Sequence, residues 1–143
     1  MSSPQSKDPQ VDVAAYIVTL GLTYAGASLA LATNVFRGEV QAVGNGTPSA
    51  AVFVQALQGD PPQAFLGAGT TEWAAEVEIT VRSAPGEREA ARAFARGLLA
   101  RLHCAAISGY TRVVAEDTEP EWVEQDEGGC HEYQFSLTLE WEG

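Results

Sequence analysis

The chain has 143 residues, a formal net charge of −11 from 19 acidic and eight basic residues, and 45 % hydrophobic residues. This length fits one domain of common size, large enough to bury a core without disulfides or metals. The negative charge argues against a protein that wraps nucleic acid or lies on an anionic membrane, because both partners are negatively charged themselves.

The amino-terminal residues predict a disordered segment followed by a helix. Residues 1–7 are polar and lack the apolar stretch of a signal peptide, so we expect disorder there and synthesis in the cytosol. Asp8 can cap a helix, Pro9 suits its first position, and helical spacing of Val11, Ala14, Ala15, Val18 and Leu22 extends it to about Leu22. We expect residues 8–143 to form a single domain.

The middle of the chain predicts strands. A short strand is expected at residues 34–40, a turn at 44–48, and a strand covered on both faces at 50–57. Pro61 and Pro62 predict a loop, with a short extended piece at residues 64–67. Residues 73–82 alternate, with one apolar face formed by Trp73, Ala75, Val77, Ile79 and Val81.

The rest of the chain predicts a long helix and two more strands. The helix covers about residues 87–107, with Gly109 as its carboxyl-terminal signal. A strand begins near residue 110, an acidic loop follows at residues 118–129, and the last strand covers residues 130–141 with His131 on its apolar face. This order predicts an α+β domain, with a mostly antiparallel sheet of four to six strands packed against one long and one shorter helix.

The long helix gathers the positive charge of the chain. Its core-facing sector is apolar, its flanks hold arginines, and the opposite sector holds small residues: Ala90, Ala93, Gly97, Ala100 and Cys104. Two interpretations remain open. The arginines form a solvated face beside local glutamates, or the small sector and its arginine edge receive a neighbouring subunit.

The carboxyl-terminal part carries the complementary charge. From Glu116 to Glu142 there are ten carboxylates and no Lys or Arg. A monomer with one basic and one acidic region can bind a copy of itself head to tail, and such a contact makes a ring if it closes. The predicted subunit-interface residues are Arg88, Arg92, Arg96, Gly97, Arg101, Glu116, Asp117, Glu119 and Glu121.

Motifs of catalysis and metal binding are absent from the sequence. There is no phosphate-binding loop and no nucleophile elbow, and the pairs His103–Cys104 and Cys130–His131 lack the usual metal-ligand spacing. Glu76 and Glu78 lie on the polar face of a strand, which explains them without chemistry. We expect no catalytic residues, no metal and no cofactor.

The layout resembles that of a known family. The stretches DPQVDVAAYIVTLGLT, NVFRGEVQA and AVFVQALQGDPP, then EVEITVRSAPGEREAARAFARGLLARL and a closing amphipathic strand, resemble the tail terminator and minor capsid proteins of long-tailed bacteriophages. The resemblance spans about residues 9–141 and depends on layout, since none of these motifs is a chemical signature. It implies a six-membered ring on the head-proximal end of the tail tube, with no enzymatic activity.

The resemblance also implies partners and a location. The ring would contact other copies, the tail tube protein and neck or connector proteins, in the virion tail after assembly in the host cytoplasm. DNA would pass through without specific binding, and acidic walls would keep its phosphates from sticking. A head–tail connector or another neck or tail-completion protein remains an alternative, as does an unrelated small enzyme or ligand-binding α+β domain.

Overall fold

The computed structural model describes residues 7–41, 46–57, 63–64 and 71–142. The first element of the described residues is helix α1 (Pro9–Thr19), and helix α2 (Arg88–Leu102) lies two-thirds of the way along the chain. The strands before α2 are β1 (Thr23–Tyr24), β2 (Ala27–Ser28), β3 (Val35–Arg37), β4 (Ala51–Leu57), β5 (Gln63–Ala64) and β6 (Thr71–Arg82). Those after it are β7 (Arg112–Ala115), β8 (Glu121–Gln125) and β9 (His131–Glu142).

The large sheet has the strand order β3-β4-β6-β9-β7, with β5 paired to β6 and β8 paired to β9. Among the strands of the described residues, β3 and β4 run parallel and the other pairs of this sheet are antiparallel. The long strand β9 is shared, because its first half pairs with β8 and its second half with β7. The predicted α+β class with a mostly antiparallel sheet and one long and one shorter helix is confirmed.

Both helices pack on the same face of this sheet. α1 contacts β3, β4 and β6, and α2 contacts β6, β7 and β9. The core between them contains alternate residues of the strands and the apolar stripes of the helices: Val52, Val54, Val77, Ile79, Val81, Phe135, Leu137 and Leu139, with Val13, Ile17, Ala91, Ala95, Leu98 and Leu102. We call the opposite face of the sheet the outer face; neither helix contacts it.

Helix α1 begins as predicted and ends earlier. The Asp8 carboxylate accepts a hydrogen bond from the Val11 amide, and Pro9 opens the first turn. The helix ends at Thr19 rather than Leu22, because Gly21 takes a left-handed conformation with φ of 67°. The predicted apolar spacing was partly wrong, since Ala15 is exposed while Val13 and Ile17 are buried.

Helix α2 also ends before its predicted limit at residue 107. Its last residue is Leu102, His103 is extended, and Cys104 has a φ of 62°. The Cys104 amide donates to the Val113 carbonyl of β7 at 2.8 Å, so pairing with the sheet edge replaces further helical bonds. Ala105 and Ala106 favour a helix, but tertiary contacts decide where a helix stops.

The acidic segment that was predicted to be a loop contains strand β8. All five residues of β8 are exposed, and two are glutamates. Charged side chains are common on strands at a sheet edge, so they conceal the strand from a composition argument. The small hairpin of β1 and β2 was also missed, and both of its strands have two residues.

The remaining predicted strands occur with shifted ends. Strands β4, β6 and β9 match their predictions within two residues, and β3 is shorter than predicted. The disorder predicted for residues 1–7, the turn at 44–48 and the extended piece at 64–67 are predictions that fall partly outside the described residues. Within the described ranges, neither helix is long and apolar enough to cross a membrane.

Candidate functional site

The arginines predicted for the interface lie on the surface of α2. Arg88, Arg92, Arg96 and Arg101 are all exposed, on the side of the helix that does not face the core. The small residues Ala90, Ala93 and Ala100 are exposed with them. The helical wheel therefore predicted correctly that this surface is exposed, because the buried stripe that faces the sheet occupies the opposite side of the helix.

Gly97 lies in the middle of this surface with open space beside it. A Cβ atom added there meets no heavy atom within 4 Å, apart from the backbone of its own helix turn. Its φ is not in the left-handed region, so an L side chain is compatible with the backbone. The glycine is thus not required by packing within this chain.

Replacing Gly97 with Ala is expected to stabilise the chain by about 0.5–1 kcal/mol, because alanine loses less conformational entropy in a helix. Urea unfolding of Gly97→Ala against the unmodified chain measures this difference. Ala93→Gly, one turn earlier on the same surface, is the matched control and should destabilise by a similar amount. A destabilising Gly97→Ala substitution would contradict the open space seen here.

The predicted acidic residues are divided between two roles. Glu116 accepts a hydrogen bond from the Thr138 hydroxyl, and the Asp117 carboxylate accepts one from the Ser136 amide at 2.8 Å. These two side chains thus hold the chain that follows β7 against β9. Glu119 and Glu121 are exposed; Glu119 reaches Arg96 of α2, whereas Glu121 lies opposite Gln134 of β9.

The structure brings the basic flank and the acidic segment together within one chain. Arg96 Nε lies 3.0 Å from Glu119 Oε2, with both side chains about half exposed at 53 % and 50 %. The Arg88 guanidinium lies over the Trp122 ring, 5.3 Å from its centroid, and its Nε donates to the Tyr133 hydroxyl at 2.9 Å. The two charged regions are therefore neighbours, not opposite poles of the monomer. Their contact with another copy stays a prediction.

The outer face of the sheet is rich in carboxylates. Alternation along the strands and the β6–β9 register place five of them toward one end of this face: Glu72, Glu76 and Glu78 of β6, and Glu140 and Glu142 of β9. Glu72 lies directly opposite Glu142, and burial together with the charge of Glu76 raises the pKa of Glu78. The one ion pair on this part of the face, among the described residues, joins Arg112 to Glu140 at 3.6 Å.

A buried ion cluster closes the other end of the outer face. Arg82 donates to Glu132 at 3.1 Å, to Asp126, and through Nε to the Pro48 carbonyl at 3.0 Å. Burial raises the pKa of Glu132, whereas the hydrogen bond from Arg82 lowers that of Asp126. The guanidinium thereby ties β6 to β9, to the turn after β8 and to the segment before β4. The sequence places Arg82 on the polar face of the strand at residues 73–82, but it does not reveal these buried partners.

Tyr24 touches the same cluster from the core side. Its hydroxyl donates to the Arg82 carbonyl at 3.0 Å, and its ring stacks on Phe94 of α2 with centroids 4.4 Å apart. Burial, with smaller contributions from Cys130 and Glu87, raises the pKa of Tyr24 from 10.0 to about 12. The folded chain thus keeps this phenol protonated where an unfolded chain would lose the proton.

This shift predicts a loss of stability in alkali between pH 10 and 12. Within that window the unfolded chain binds fewer protons than the folded chain, so the free energy of unfolding falls as pH rises. Urea unfolding at successive pH values should show a steeper fall in the unmodified chain than in Tyr24→Phe. Tyr16→Phe is the control and should keep the steep fall. Equal slopes for the Tyr24→Phe variant and the unmodified chain would contradict the shift.

A hollow of about 560 Å³ lies where α2 leads into β7. His103, Cys104, Tyr110 and Arg112 contribute polar groups to its lining. Several of these groups already have partners: His103 Nδ1 accepts from the Ala115 amide at 3.1 Å, and the Tyr110 hydroxyl donates to an Asp12 oxygen at 2.6 Å. In the described part of the chain, no three His, Cys, Asp or Glu side chains are grouped so that they could hold a metal ion.

Three exposed apolar residues were missed by the sequence reasoning. Leu31, Trp122 and Val123 are the large hydrophobic side chains with the greatest exposure among the described residues. The sequence contained a signal for two of them, because Trp122 and Val123 are apolar residues within the acidic stretch EWVEQ. The Trp122 indole donates from Nε1 to His131 Nδ1 at 3.1 Å. This bond holds the polar end of the indole in place, while the residue remains partly exposed.

Comparison with known proteins did not identify a relative that would help to interpret this geometry. A scan against protein-family models and a search of curated proteins both found no match to the chain.

Proposed function

We propose that the protein is a structural virion component that forms a ring at the head-proximal end of a phage-type tail tube. In this role it stops polymerisation of the tube and joins the tail to the neck. The proposal combines the resemblance of the chain layout to tail terminators with one structural observation, the carboxylate-rich outer face of the sheet. It implies no catalytic residue and no cofactor.

The outer face supports this function through its charge and its position. Six carboxylates of β6 and β9 share a face on which neither helix packs; five lie toward one end, and Glu132 at the other end is paired with Arg82. If that face lines the opening of a ring, each copy contributes the same acidic strip to the wall. Such a wall repels DNA phosphates, so DNA moves through without binding. The helices then lie on the outside of the ring, where tube and neck proteins can contact them.

Ring closure requires a contact between two different surfaces of the chain. The predicted interface on the flank of α2 supplies one candidate surface, with the small residues around Gly97 available to a neighbour. Charged pairs at such a contact set register and association rate, while the affinity comes from buried apolar area. The pairing of Arg96 with Glu119 inside one chain means that these two residues exchange partners if they also join copies.

The hollow between α2 and β7 favours a second candidate function, the binding of a small ligand. Its volume falls within the range of ligand pockets. Because the His103 and Tyr110 side chains already have hydrogen-bond partners within the chain, few polar groups are left to fix a ligand's orientation. We therefore place this function behind the ring.

The test combines assembly with location. Size-exclusion chromatography with light scattering measures the mass of the chain over a range of concentrations, alone and with purified tail tubes. We expect closed oligomers, seen as rings at one end of each tube by negative stain, and tubes that no longer elongate. A chain that remains monomeric and leaves both tube ends free to grow would count against the proposal. Labelling at the connector instead of the tube end would assign it to the neck.

A further inference from the structure

The most exposed large hydrophobic side chains lie at the two opposite edges of the sheet. Trp122 and Val123 are 43 % and 39 % exposed on the edge strand β8, and Leu31, at 43 %, precedes the edge strand β3. Exposed apolar side chains that cluster on a protein surface mark contact sites more often than isolated ones do.

One continuous row of strand partners connects these edges. Trp122 pairs with Tyr133, Tyr133 with Val81, Val81 with Val52, and Val52 with Val35, which lies next to Leu31 through a bridge. Four strand spacings of about 4.8 Å separate β3 from β8 along this row. The two apolar sites are therefore different surfaces at opposite ends of one rigid layer. A head-to-tail contact between copies requires two different surfaces of this kind.

The two edges differ in shape. A hollow of about 210 Å³ opens beside Leu31, with Phe36, Arg37 and Phe53 in its lining. The backbone of β3 is closed to a further strand at Val35, because the Val35 amide donates to Ala30 at 3.1 Å and its carbonyl accepts from Ala32 at 2.9 Å. This edge can thus receive side chains rather than a strand. The β8 edge offers a partly exposed indole, held at Nε1 by His131 and on its ring by Arg88, and beside it the partly exposed side chain of Val123.

Charge favours a second copy as the occupant of the hollow. Arg37 lines the hollow, is exposed, and has no ion-pair partner among the described residues. Glu121 and Glu124 flank Trp122 and Val123, and no Lys or Arg follows Arg112 in the chain. The β8 edge of one copy therefore offers negative charge to Arg37 of the next. Glu39 also lines the hollow and repels these carboxylates, so placements that bring them closer to Arg37 are favoured.

We propose that the β8 edge of one copy inserts Trp122 and Val123 into the hollow beside Leu31 of the next copy, with Glu121 facing Arg37. This inference rests on the proposed ring and names the surfaces that join its copies. It leaves Arg92, Arg96 and Arg101 of α2 outside the contact between copies, whereas Arg88, whose guanidinium lies over the Trp122 ring, borders it. The outer face then continues from copy to copy around the ring.

Cysteine cross-linking tests the contact directly. In a Cys104→Ser background, which removes the exposed native thiol, the variants Leu31→Cys and Val123→Cys are prepared separately, mixed and oxidised. We expect a disulfide-linked dimer in the mixture and none in either variant alone, since the contact joins two different surfaces. Ala93→Cys mixed with Val123→Cys is the control for the α2 surface and should give no dimer.

Affinity measurements supply the second arm. By light scattering, Trp122→Ala should weaken association at least about tenfold, as expected for a buried aromatic anchor. Arg37→Glu should weaken it about fivefold, and adding Glu121→Arg should restore it, because the charges are then exchanged. Circular dichroism checks that each variant keeps its fold.

The outcomes separate this inference from the proposed function. Rings that form normally in Trp122→Ala, or that cross-link through Ala93→Cys instead of Leu31→Cys, would overturn the edge contact and leave the ring intact. A chain that remains monomeric at every concentration and on tube ends would overturn both. Binding of tube or neck protein to the Leu31 hollow, with ring formation unaffected by Arg37→Glu, would assign the hollow to another partner and also overturn the inference.

Discussion

Arg82→Met should lower the free energy of unfolding by about 3–5 kcal/mol, the usual cost of removing one partner from a buried ion pair. The side chains of Arg82 and Glu132 are only 6 % and 7 % exposed. Without the guanidinium, Glu132 remains buried with its charge uncompensated, and the Pro48 carbonyl loses its donor. Urea unfolding followed by tryptophan fluorescence measures the change.

Two further variants show whether the buried charge is the cause. Arg82→Met combined with Glu132→Met should be less destabilised than Arg82→Met alone, because the second change removes the unpaired carboxylate. Arg112→Met, at an ion pair whose arginine is largely exposed, should cost no more than about 1 kcal/mol. If the double variant were the less stable of the two, the buried-charge explanation would be wrong.

Leu98→Ala should also destabilise strongly, by about 3–5 kcal/mol. Leu98 is 1 % exposed on the face of α2 that packs against the sheet. Truncation removes its apolar contacts and leaves a cavity, and the helix and strands around it can only partly collapse into that space. The change should appear as a lower urea midpoint with an unchanged slope, since the surface exposed on unfolding is nearly the same.

The next residue provides a matched control. Leu99→Ala makes the same chemical change in the same helix turn, but Leu99 is only half-buried. Alanine and leucine have similar helix propensities, so the difference between the two variants reports burial alone. We expect Leu99→Ala to cost at least about 1 kcal/mol less than Leu98→Ala. Equal costs would mean that α2 sits on the sheet with a different face.

The sequence by itself determined the elements whose signals are local. The alternation in β6 and β9 revealed both strands and their buried faces, because successive side chains point to opposite sides of a sheet. Asp8 and Pro9 marked the beginning of α1 through capping and dihedral preferences that need no distant partner. The helical wheel also separated the buried stripe of α2 from its exposed arginines, since the helical period is fixed by backbone geometry.

The tertiary structure alone decided which distant residues meet. The end of α2 depends on a hydrogen bond between Cys104 and Val113, and strand β8 exists because β9 offers it a free edge. The neighbouring positions of Arg96 and Glu119, and the burial of Arg82 with Glu132, follow from strand order and register. No local pattern encodes these pairings. A carboxylate in a charged segment has the same sequence context whether the fold brings an arginine to it or leaves it in water.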